Sequence, residues 1–246
     1  MNKNTEKLII AGPCSLESRE QIDQVIEVAK DLGISYIRAQ VYKPRTNPHS
    51  FQGLGDKGIK ILSDLREVHS IDEIKFVCEV CSESHFDSLK DLAQVIQIGA
   101  RNMQNFELLK YVAKNFNEDI QDYVLLKRGF ANTNSEWISS AEYLIAGGIP
   151  KEKIILCERG SRSLTSPTGV SLDLINALSA KAQGFHVIID PSHGAKDRKY
   201  VLPLAEGALA MDFDGLMLEV HPNPEESISD KAQAISLQAL KSFLTD

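Results

Sequence analysis

One pattern recurs eight times along the chain: a short apolar run, a polar or glycine-containing turn, and then a stretch with helical periodicity. The apolar runs cover residues 8–14, 36–41, 75–80, 95–100, 123–129, 154–160, 186–193 and 215–222. Runs this rich in β-branched and other apolar residues are typical of strands that are buried on both faces, as in parallel sheets covered by helices. The chain is therefore expected to build its core from eight βα units.

Helix boundaries are also marked in the sequence. Ser84 precedes the helical pattern HFDSLKDL, Asn134 and Ser135 precede EWISSAEYLI, and Gly147 with Gly148 ends the latter. No linker or change in composition divides the 246 residues, and about 250 residues is the usual length of a (β/α)₈ barrel. We predict an α/β protein with one domain, a (β/α)₈ TIM barrel over residues 1–246. A doubly wound sheet with fewer strands is the alternative.

Composition limits the classes of function. The formal net charge is −7 with 43% hydrophobic residues, which excludes disorder along the whole chain. The pI of 5.4 argues against a nucleic-acid or anionic-membrane surface. No apolar stretch approaches a membrane span, and the start MNKNTEKLII lacks the pattern of a secretory leader, so we predict a cytoplasmic protein. Four cysteines are too few for a disulfide framework in a chain of this length.

Polar side chains crowd the ends of the apolar runs. They are Cys14, Arg38 with Lys43 and Arg45, Glu79, Arg101, Lys127 with Arg128, Glu158 with Arg159, Asp190 with His193, and Glu219 with His221. A charged residue after one strand usually faces only solvent. In a barrel, however, the carboxyl ends of all strands meet at one face, and active sites form there. The set as a whole therefore predicts a site at that face.

Four of these positions could bind a metal ion. Cys14, His193 and Glu219 follow the first, seventh and eighth runs, which become neighbours when a barrel closes, and Asp230 follows in the eighth loop. A thiolate, an imidazole and two carboxylates suit Mn²⁺, Fe²⁺, Co²⁺ or Zn²⁺ better than Mg²⁺. The spacing alone is not a metal motif, so a buried structural cysteine and a histidine bonded to a backbone carbonyl stay open as the alternative.

A second group is basic within an acidic protein. It comprises Arg38, Lys43, Arg45, Arg101, Lys127 and Arg159. Phosphate is the natural ligand, because arginine offers a planar fork, lysine adds a point charge, and the Gly99-Ala100 turn can offer backbone N–H groups. Solvated surface charge is the alternative. Lys127 argues against it, because it follows three apolar residues and an unpaired buried ammonium is costly. The basic residues divide into two sets, Arg38, Lys43 and Arg45 in one and Arg101, Lys127 and Arg159 in the other. Two such sets would suit substrates with more than one anionic group.

Two other kinds of site are not favoured. The segment SFQGLG at residues 50–55 contains two glycines but lacks the strand-then-helix setting of a dinucleotide fingerprint. No serine or cysteine nucleophile elbow occurs, and no organic cofactor is expected.

Seven motifs, in order and at strand ends, resemble a known family. They are GPCSLES (12–18), YKPRTNPHSFQGLG (42–55), QIGARNMQNFELL (97–109), LLKRG (125–129), LCERG (156–160), DPSHG (190–194) and LEVHPNP (218–224). Over nearly its whole length the chain resembles 3-deoxy-D-arabino-heptulosonate 7-phosphate (DAHP) synthases, in the branch related to 3-deoxy-octulosonate 8-phosphate synthases. The Lys43 to Thr46 stretch distinguishes the two families, because this chain has lysine-proline-arginine-threonine there, where the octulosonate enzymes have an alanine-asparagine-arginine-serine type of loop.

The resemblance implies a metal-dependent, aldol-like condensation of phosphoenolpyruvate with erythrose 4-phosphate and water, which gives DAHP and phosphate in the first step of the shikimate pathway. By resemblance, Cys14, His193, Glu219 and Asp230 are the metal ligands, with Mn²⁺ the expected ion. Also by resemblance, the phosphate of phosphoenolpyruvate is bound by Arg101, Lys127, Arg159 and the Gly99-Ala100 backbone. Arg38 and Lys43 match the positions near its carboxylate end. Arg45 and Thr46 match the aldehyde sugar's site. Glu79 matches a water-positioning acid, and Lys127 is the candidate proton donor.

The resemblance also bears on partners. Relatives often carry a ferredoxin-like or chorismate mutase domain, and we expect no such domain in this chain, although a chorismate mutase domain or partner outside it is compatible with the sequence. A homo-oligomer, dimer or tetramer, is expected by analogy. Two rival functions stay open: the same chemistry on arabinose 5-phosphate, and a catalytically silent barrel that binds anions or regulates a partner.

Overall fold

The computed structural model describes residues 7–245, so residues 1–6 and 246 of the expected domain lie outside the described part. Within it, eight parallel strands form a closed barrel. They are β1 (Leu8–Gly12), β2 (Tyr36–Arg38), β3 (Lys75–Val80), β4 (Ala93–Ile98), β5 (Tyr123–Lys127), β6 (Ile154–Glu158), β7 (His186–Ile189) and β8 (Gly215–His221). The barrel closes where β1 pairs with β8, with Leu8 opposite Gly215 and Gly12 opposite Glu219. The predicted (β/α)₈ barrel is confirmed.

Helices cover the outside of the barrel. They are α1 (Arg19–Asp31), α2 (Asp56–Val68), α3 (Glu83–Leu89), α4 (Phe106–Asn115), α5 (Asn134–Ala146), α6 (Leu174–Ala182), α8 (Arg198–Ala210) and α9 (Leu237–Thr245). The short helix α7 (Pro191–Ala195) lies instead at the mouth of the barrel. In the described range, none of these helices has the length and apolar character needed to cross a membrane. Additional short elements lie at the loop face: a hairpin of strands Ser161–Arg162 and Val170–Ser171, and strand Ile235–Ser236, which pairs in parallel with the end of β8 at Val220 and His221.

Two of the expected helix starts move by one or two residues. Ser82 rather than Ser84 caps α3, because its side chain accepts a hydrogen bond from the His85 amide. Helix α5 begins at Asn134, after Thr133, which forms a capping box with Glu136. Helix α5 ends at Ala146 with Gly147 as its C-cap, so the glycine stop is where the sequence predicts it.

Several strands are shorter than the apolar runs that predicted them. Strand β7 ends at Ile189, and the following residues form α7, because Asp190 caps that helix and Pro191 occupies its first turn. Strand β1 ends at Gly12 and β2 at Arg38. The chain beyond each of these ends turns across the mouth of the barrel and carries the polar residues with it.

The core has two layers. The outer one lies between the strands and the helices and contains most of the buried apolar residues. The inner one fills the barrel interior with Ile10, Val77, Val95, Leu125, Ile155, Cys157, Ile188 and Met217. The barrel is thus a packed core rather than a pore, which is the expected filling of an eight-stranded barrel. Toward the carboxyl ends of the strands, the side chains that point into the barrel change from apolar to mostly charged.

Candidate active site

The polar floor of the site follows directly from strand periodicity. Side chains on a strand alternate between its two faces, so the residue two positions after an inner apolar residue also points inward. The successive inner pairs are Tyr36 and Arg38, Val77 and Glu79, Val95 and Gln97, Leu125 and Lys127, Ile188 and Asp190, and Met217 and Glu219. A layer of mostly charged side chains, here called the charged layer, therefore lies directly above the apolar layer of the barrel. The second residue of each pair belongs to this layer, and all of these residues are buried.

Asp190 organises the centre of this layer. It caps α7 by accepting the His193 amide at 3.0 Å, and its Oδ2 also accepts from the Lys127 Nζ at 2.6 Å. The same Oδ2 lies 2.7 Å from His193 Nδ1. Although burial opposes ionisation, His193, which becomes charged only at low pH, and Lys127 hold the pKa of Asp190 well below its usual range. One carboxylate therefore joins Lys127 to His193.

The structure brings Cys14, His193, Glu219 and Asp230 together, and one donor atom of each lies within 4.8 Å of those of the others. Cys14 lies just beyond β1, Glu219 lies in β8, His193 lies on α7 and Asp230 lies in the loop after β8. Such close packing of an imidazole, a thiol and two carboxylates is the arrangement of a transition-metal site.

Several contacts test whether this set fits a metal ion. His193 Nδ1 is occupied by Asp190, which leaves Nε2, 3.3 Å from Glu219 Oε1, as the atom that can bind metal. A carboxylate behind a ligating histidine is the common support in metal sites. The buried Glu219 Oε1 has no hydrogen-bond partner among the described residues, although Arg38 Nη2 is 2.9 Å away as an ion pair. The four residues therefore fit a divalent transition metal.

The charge states in this cluster suit the same ligand. Burial lowers the pKa of His193 to about 4, against the opposing effect of Asp190 and Glu219, so the imidazole is neutral near pH 7. Burial, with Glu219, raises the pKa of the Cys14 thiol. Despite burial, His193, when protonated at low pH, and Arg38 lower the pKa of Glu219, and Lys43 lowers the pKa of Asp230. A metal ion would convert the thiol to a thiolate.

Two predicted substrate residues border this cluster. Lys43 Nζ lies 2.6 Å from Cys14 Sγ and 3.2 Å from Asp230 Oδ2. Arg45 Nη1 lies 3.6 Å from Asp230 Oδ1. The loop after β2 therefore brings its basic residues against the proposed ligands rather than out into solvent.

A small cavity opens beside the cluster. It is lined by Arg38, Lys43, Pro44, Glu79, Gly99, Ala100, Arg101, Lys127, Phe130, Arg159 and His193. Glu79 is held there by Gln97, whose Nε2 donates to Glu79 Oε2 at 2.9 Å. Gly99 allows this placement, because a Cβ at position 99 would lie 2.0 Å from Glu79 Oε1. Larger concavities lie at the opposite end of the barrel, away from the charged layer.

Two arginines of the cavity have an aromatic neighbour in common. Arg159 lies 4.7 Å and Arg101 5.3 Å from the centroid of the Phe130 ring. Within residues 7–245 neither arginine forms an ion pair with a carboxylate. Burial lowers the pKa of Arg159, which is only 4% exposed. Arg101 is exposed and donates to Thr46 Oγ1 at 3.1 Å, which links the loops after β2 and β4.

Other polar residues at strand ends do not line the cavity. Arg128 and Glu158 form a buried ion pair with each other, and Glu158 Oε1 accepts the Gly160 amide at 2.7 Å. His221 faces Glu17 at 3.3 Å. Contrary to the expectation from the sequence, the burial of Lys127 alone does not require an anionic ligand, because its ammonium already has an anionic partner, Asp190.

Sequence reasoning did not assign roles to Asp190, Gln97 or Phe130. Asp190 had a usable signal, because aspartate before proline at a strand end predicts a helix cap whose carboxylate faces the next turn. Gln97 had one too, since it lies two residues after the inner Val95. For Phe130 there was none, because only the folded loops bring its ring between two arginines.

Comparisons with known proteins agree with this geometry. Residues 2–245 match the model of the DAHP synthetase I family. A phospho-2-dehydro-3-deoxyheptonate aldolase from Thermotoga maritima is 40% identical over 239 residues, which cover 97% of this chain and 68% of the relative. A 2-dehydro-3-deoxyphosphooctonate aldolase from Francisella tularensis is 28% identical over 96% of this chain and 88% of its own length.

Solved structures show the same fold. The crystal structure of the Thermotoga maritima DAHP synthase superposes with a TM-score of 0.87 at 40% identity, and covers 98% of this chain and 68% of that one. A truncated form of the 3-deoxy-D-arabino-heptulosonate 7-phosphate synthase from the same organism gives a TM-score of 0.84 at 36% identity, with 98% and 85% covered.

Proposed function

Because the chain belongs to the DAHP synthetase I family, we propose that it condenses phosphoenolpyruvate with erythrose 4-phosphate and water to give DAHP and phosphate. One observation carries the proposal: a cavity with two arginines that pair with no carboxylate among residues 7–245 lies directly beside the Cys14, His193, Glu219 and Asp230 cluster. A phosphorylated nucleophile and an aldehyde need those two environments next to each other.

Cys14, His193, Glu219 and Asp230 would hold one divalent metal ion, for which we propose Mn²⁺, with Zn²⁺, Fe²⁺ and Co²⁺ as alternatives. When bound, the ion supplies Lewis-acid polarisation of the aldehyde carbonyl. Asp190 fixes the tautomer of His193 so that Nε2 carries the lone pair. No organic cofactor enters the proposal.

Phosphoenolpyruvate would lie across the cavity. Its phosphate would bind Arg101, Arg159 and Lys127, with the backbone N–H groups of the Gly99-Ala100 turn, and its carboxylate would lie toward Lys43 and Arg38. Arg45 and Thr46, on the loop that borders the cluster, would bind erythrose 4-phosphate. These side chains fix the distance and direction between the two reacting carbons.

The reaction then follows from what each side chain can do. The C2=C3 π electrons of phosphoenolpyruvate form the new bond from C3 to the aldehyde carbon, and positive charge develops at C2. The carbonyl π electrons move to the aldehyde oxygen, which takes up a proton, and the water that adds at C2 releases one in exchange. Glu79, held by Gln97, orients the water that adds at C2. The resulting hemiketal phosphate collapses: its C2–O bond to phosphate breaks as the C2 hydroxyl loses its proton and becomes the carbonyl. Lys127 Nζ donates a proton to the departing phosphate oxygen while Arg101 and Arg159 hold the phosphate, and the proton released by the hydroxyl restores the ammonium.

The test is consumption of phosphoenolpyruvate by the purified protein with erythrose 4-phosphate or arabinose 5-phosphate, each with chelator and after Mn²⁺ is restored. We expect turnover with erythrose 4-phosphate alone, loss with chelator and recovery with Mn²⁺. Turnover with arabinose 5-phosphate would overturn the substrate assignment, and turnover that resists chelator would overturn the metal role. Absence of turnover under every condition would favour a silent barrel that binds anions or a partner.

The octulosonate reaction is the second candidate, since relatives with that name match at 27–30% identity. Two observations favour DAHP synthesis: the 40% identity to the Thermotoga enzyme and the Lys43 to Thr46 stretch, whose Thr46 contacts Arg101. We further propose that the protein forms a homo-oligomer and that a chorismate mutase domain or partner acts with it. Mass measurement in solution, alone and with added chorismate mutase, tests both.

A further inference from the structure

The loop that carries Asp230 has an unusual backbone conformation. Residues 222–234, here called the Asp230 loop, connect β8 to the short strand Ile235–Ser236. Asp230 itself has φ of 52°, in the left-handed region that few residues with a side chain adopt. Such a conformation persists only when the surrounding structure holds it. The contacts that hold the loop therefore decide whether Asp230 reaches the other three proposed ligands.

Glu17 holds one side of the loop. Its Oε1 accepts the Ile228 amide at 3.0 Å and the Ser227 hydroxyl at 3.2 Å, and its Oε2 lies 3.3 Å from His221 Nε2. The Glu17 side chain is only 9% exposed. Glu17 lies three residues after Cys14, so the contact ties the segment of one proposed ligand to the loop of another. Next to it, the buried Ser15 and Ser229 hydroxyls are 2.5 Å apart.

Arg198 holds the other side. Its guanidinium donates to the Ala234 carbonyl at 2.6 Å and to the Lys231 carbonyl at 2.8 Å, and its own amide donates to the Ala232 carbonyl at 2.8 Å. It also pairs with Glu225 at 2.9 Å. The loop is thus bonded on both sides of Asp230, by an acid from the loop after β1 and by a base at the start of α8. Neither residue lines the cavity or belongs to the proposed ligand set.

We propose that Glu17 and Arg198 are positioning residues that hold the Asp230 loop in its metal-binding conformation and so set the affinity of the site. This inference rests on the metal site of the proposed function. Both residues act through Asp230: they keep its carboxylate beside Cys14, where Asp230 Oδ2 accepts from the thiol at 2.9 Å. Without them the ordering of the loop would have to accompany metal binding, and the affinity would fall.

The experiment measures the Mn²⁺ dissociation constant of metal-free protein by calorimetry. Glu17→Ala and Arg198→Met should each weaken binding by about 10-fold, the scale for loss of a group that supports a ligand. Glu17→Gln should recover part of this, because an amide oxygen can still accept from Ile228 and Ser227. The matched control is Asp122→Asn, which removes a carboxylate bonded to Tyr36 and Lys75 at the opposite end of the barrel and should leave binding unchanged.

The discriminating experiment repeats Glu17→Ala in an Asp230→Asn background. Asparagine is chosen because, like aspartate, it tolerates the left-handed backbone conformation of residue 230. If Glu17 acts through Asp230, its replacement should then have almost no further effect on Mn²⁺ affinity. An equal 10-fold loss in both backgrounds would show a general structural role and overturn the inference.

A second readout keeps the two proposals apart. In metal-free protein, Glu17→Ala should speed hydrogen exchange at the Ile228 amide, measured by mass spectrometry on peptides of the Asp230 loop. If wild-type protein binds no Mn²⁺, the metal site fails as a proposal, and unchanged loop exchange would independently refute the positioning role. If wild type binds Mn²⁺ and Glu17→Ala binds it equally well, only the positioning inference is wrong.

Discussion

The buried pair of Lys127 and Asp190 makes a prediction that separates its two roles. The Nζ to Oδ2 distance is 2.6 Å, and the two side chains are 5% and 0% exposed. Loss of one partner of a buried ion pair typically costs roughly 3–5 kcal/mol, because the other charge is left uncompensated. Lys127→Met leaves Asp190 with His193 as its remaining partner. We therefore expect this variant to lose about 3 kcal/mol of its free energy of unfolding, near the low end of that range.

Asp190→Asn should cost a similar free energy of unfolding, since it leaves the Lys127 ammonium without its carboxylate. The double variant removes both charges, and we expect about 3 kcal/mol rather than a sum near 6 kcal/mol, which gives a coupling of about 3 kcal/mol. For a chain of this size, a single variant should lower the melting temperature by about 6–12 °C. Asp190→Asn alone should also weaken Mn²⁺ binding by about 10-fold, through His193.

Urea unfolding of metal-free protein measures the three free energies, and calorimetry measures Mn²⁺ affinity in the same samples. Lys127→Met should lose turnover but keep most of its Mn²⁺ affinity, because His193 still contacts Asp190. Additive unfolding free energies would refute the reasoning about the pair, and retained turnover in Lys127→Met would refute the proposed role of the lysine.

Three further predictions address the cavity and the metal cluster. Phe130→Leu should raise the KM for phosphoenolpyruvate a few-fold with little change in kcat, because cation–π contacts are worth about 0.5–1 kcal/mol. Phe130→Tyr keeps an aromatic ring and should have a KM near that of the wild type. An equal rise in KM in the two variants would contradict this reasoning. Gly99→Ala should lower kcat by at least about 10-fold in steady-state assays, because the new methyl group displaces Glu79, while circular dichroism should show an intact fold. Cys14→Ala should lose Mn²⁺ after dialysis, measured by elemental analysis, and retention of one equivalent would remove the thiol from the ligand set.

The sequence predicts the strands and the closure of the barrel well, because both depend on a pattern that repeats. Eight apolar runs of similar spacing leave few other solutions for a chain this long. The ends of the runs were less accurate. Residues 190–193 continue the run of β7 in the sequence, but Pro191 and the Asp190 cap turn them into α7, which places His193 on a helix rather than on a strand.

The candidate site was predictable in its membership but not in its internal bonds. Residue type and strand position suffice to group Cys14, His193 and Glu219, because a barrel gathers its strand ends. They do not show that Asp190 joins Lys127 to His193, since that depends on where α7 places one carboxylate. The same is true of Glu17, whose partners lie more than 200 positions away in the chain.

The distribution of ion pairs explains how a cationic cavity can exist before an anion binds. Arg38 is neutralised by Glu219 and Lys127 by Asp190, so the charges deepest in the barrel are balanced within the protein. The two arginines that remain lie against the Phe130 ring, which attracts a cation weakly and offers no charge for a phosphate to displace. A carboxylate in the place of Phe130 would stabilise the arginines more strongly, but a phosphate would then have to compete with it. The aromatic neighbour therefore leaves the positive charge available, at the cost of a less stable substrate-free cavity.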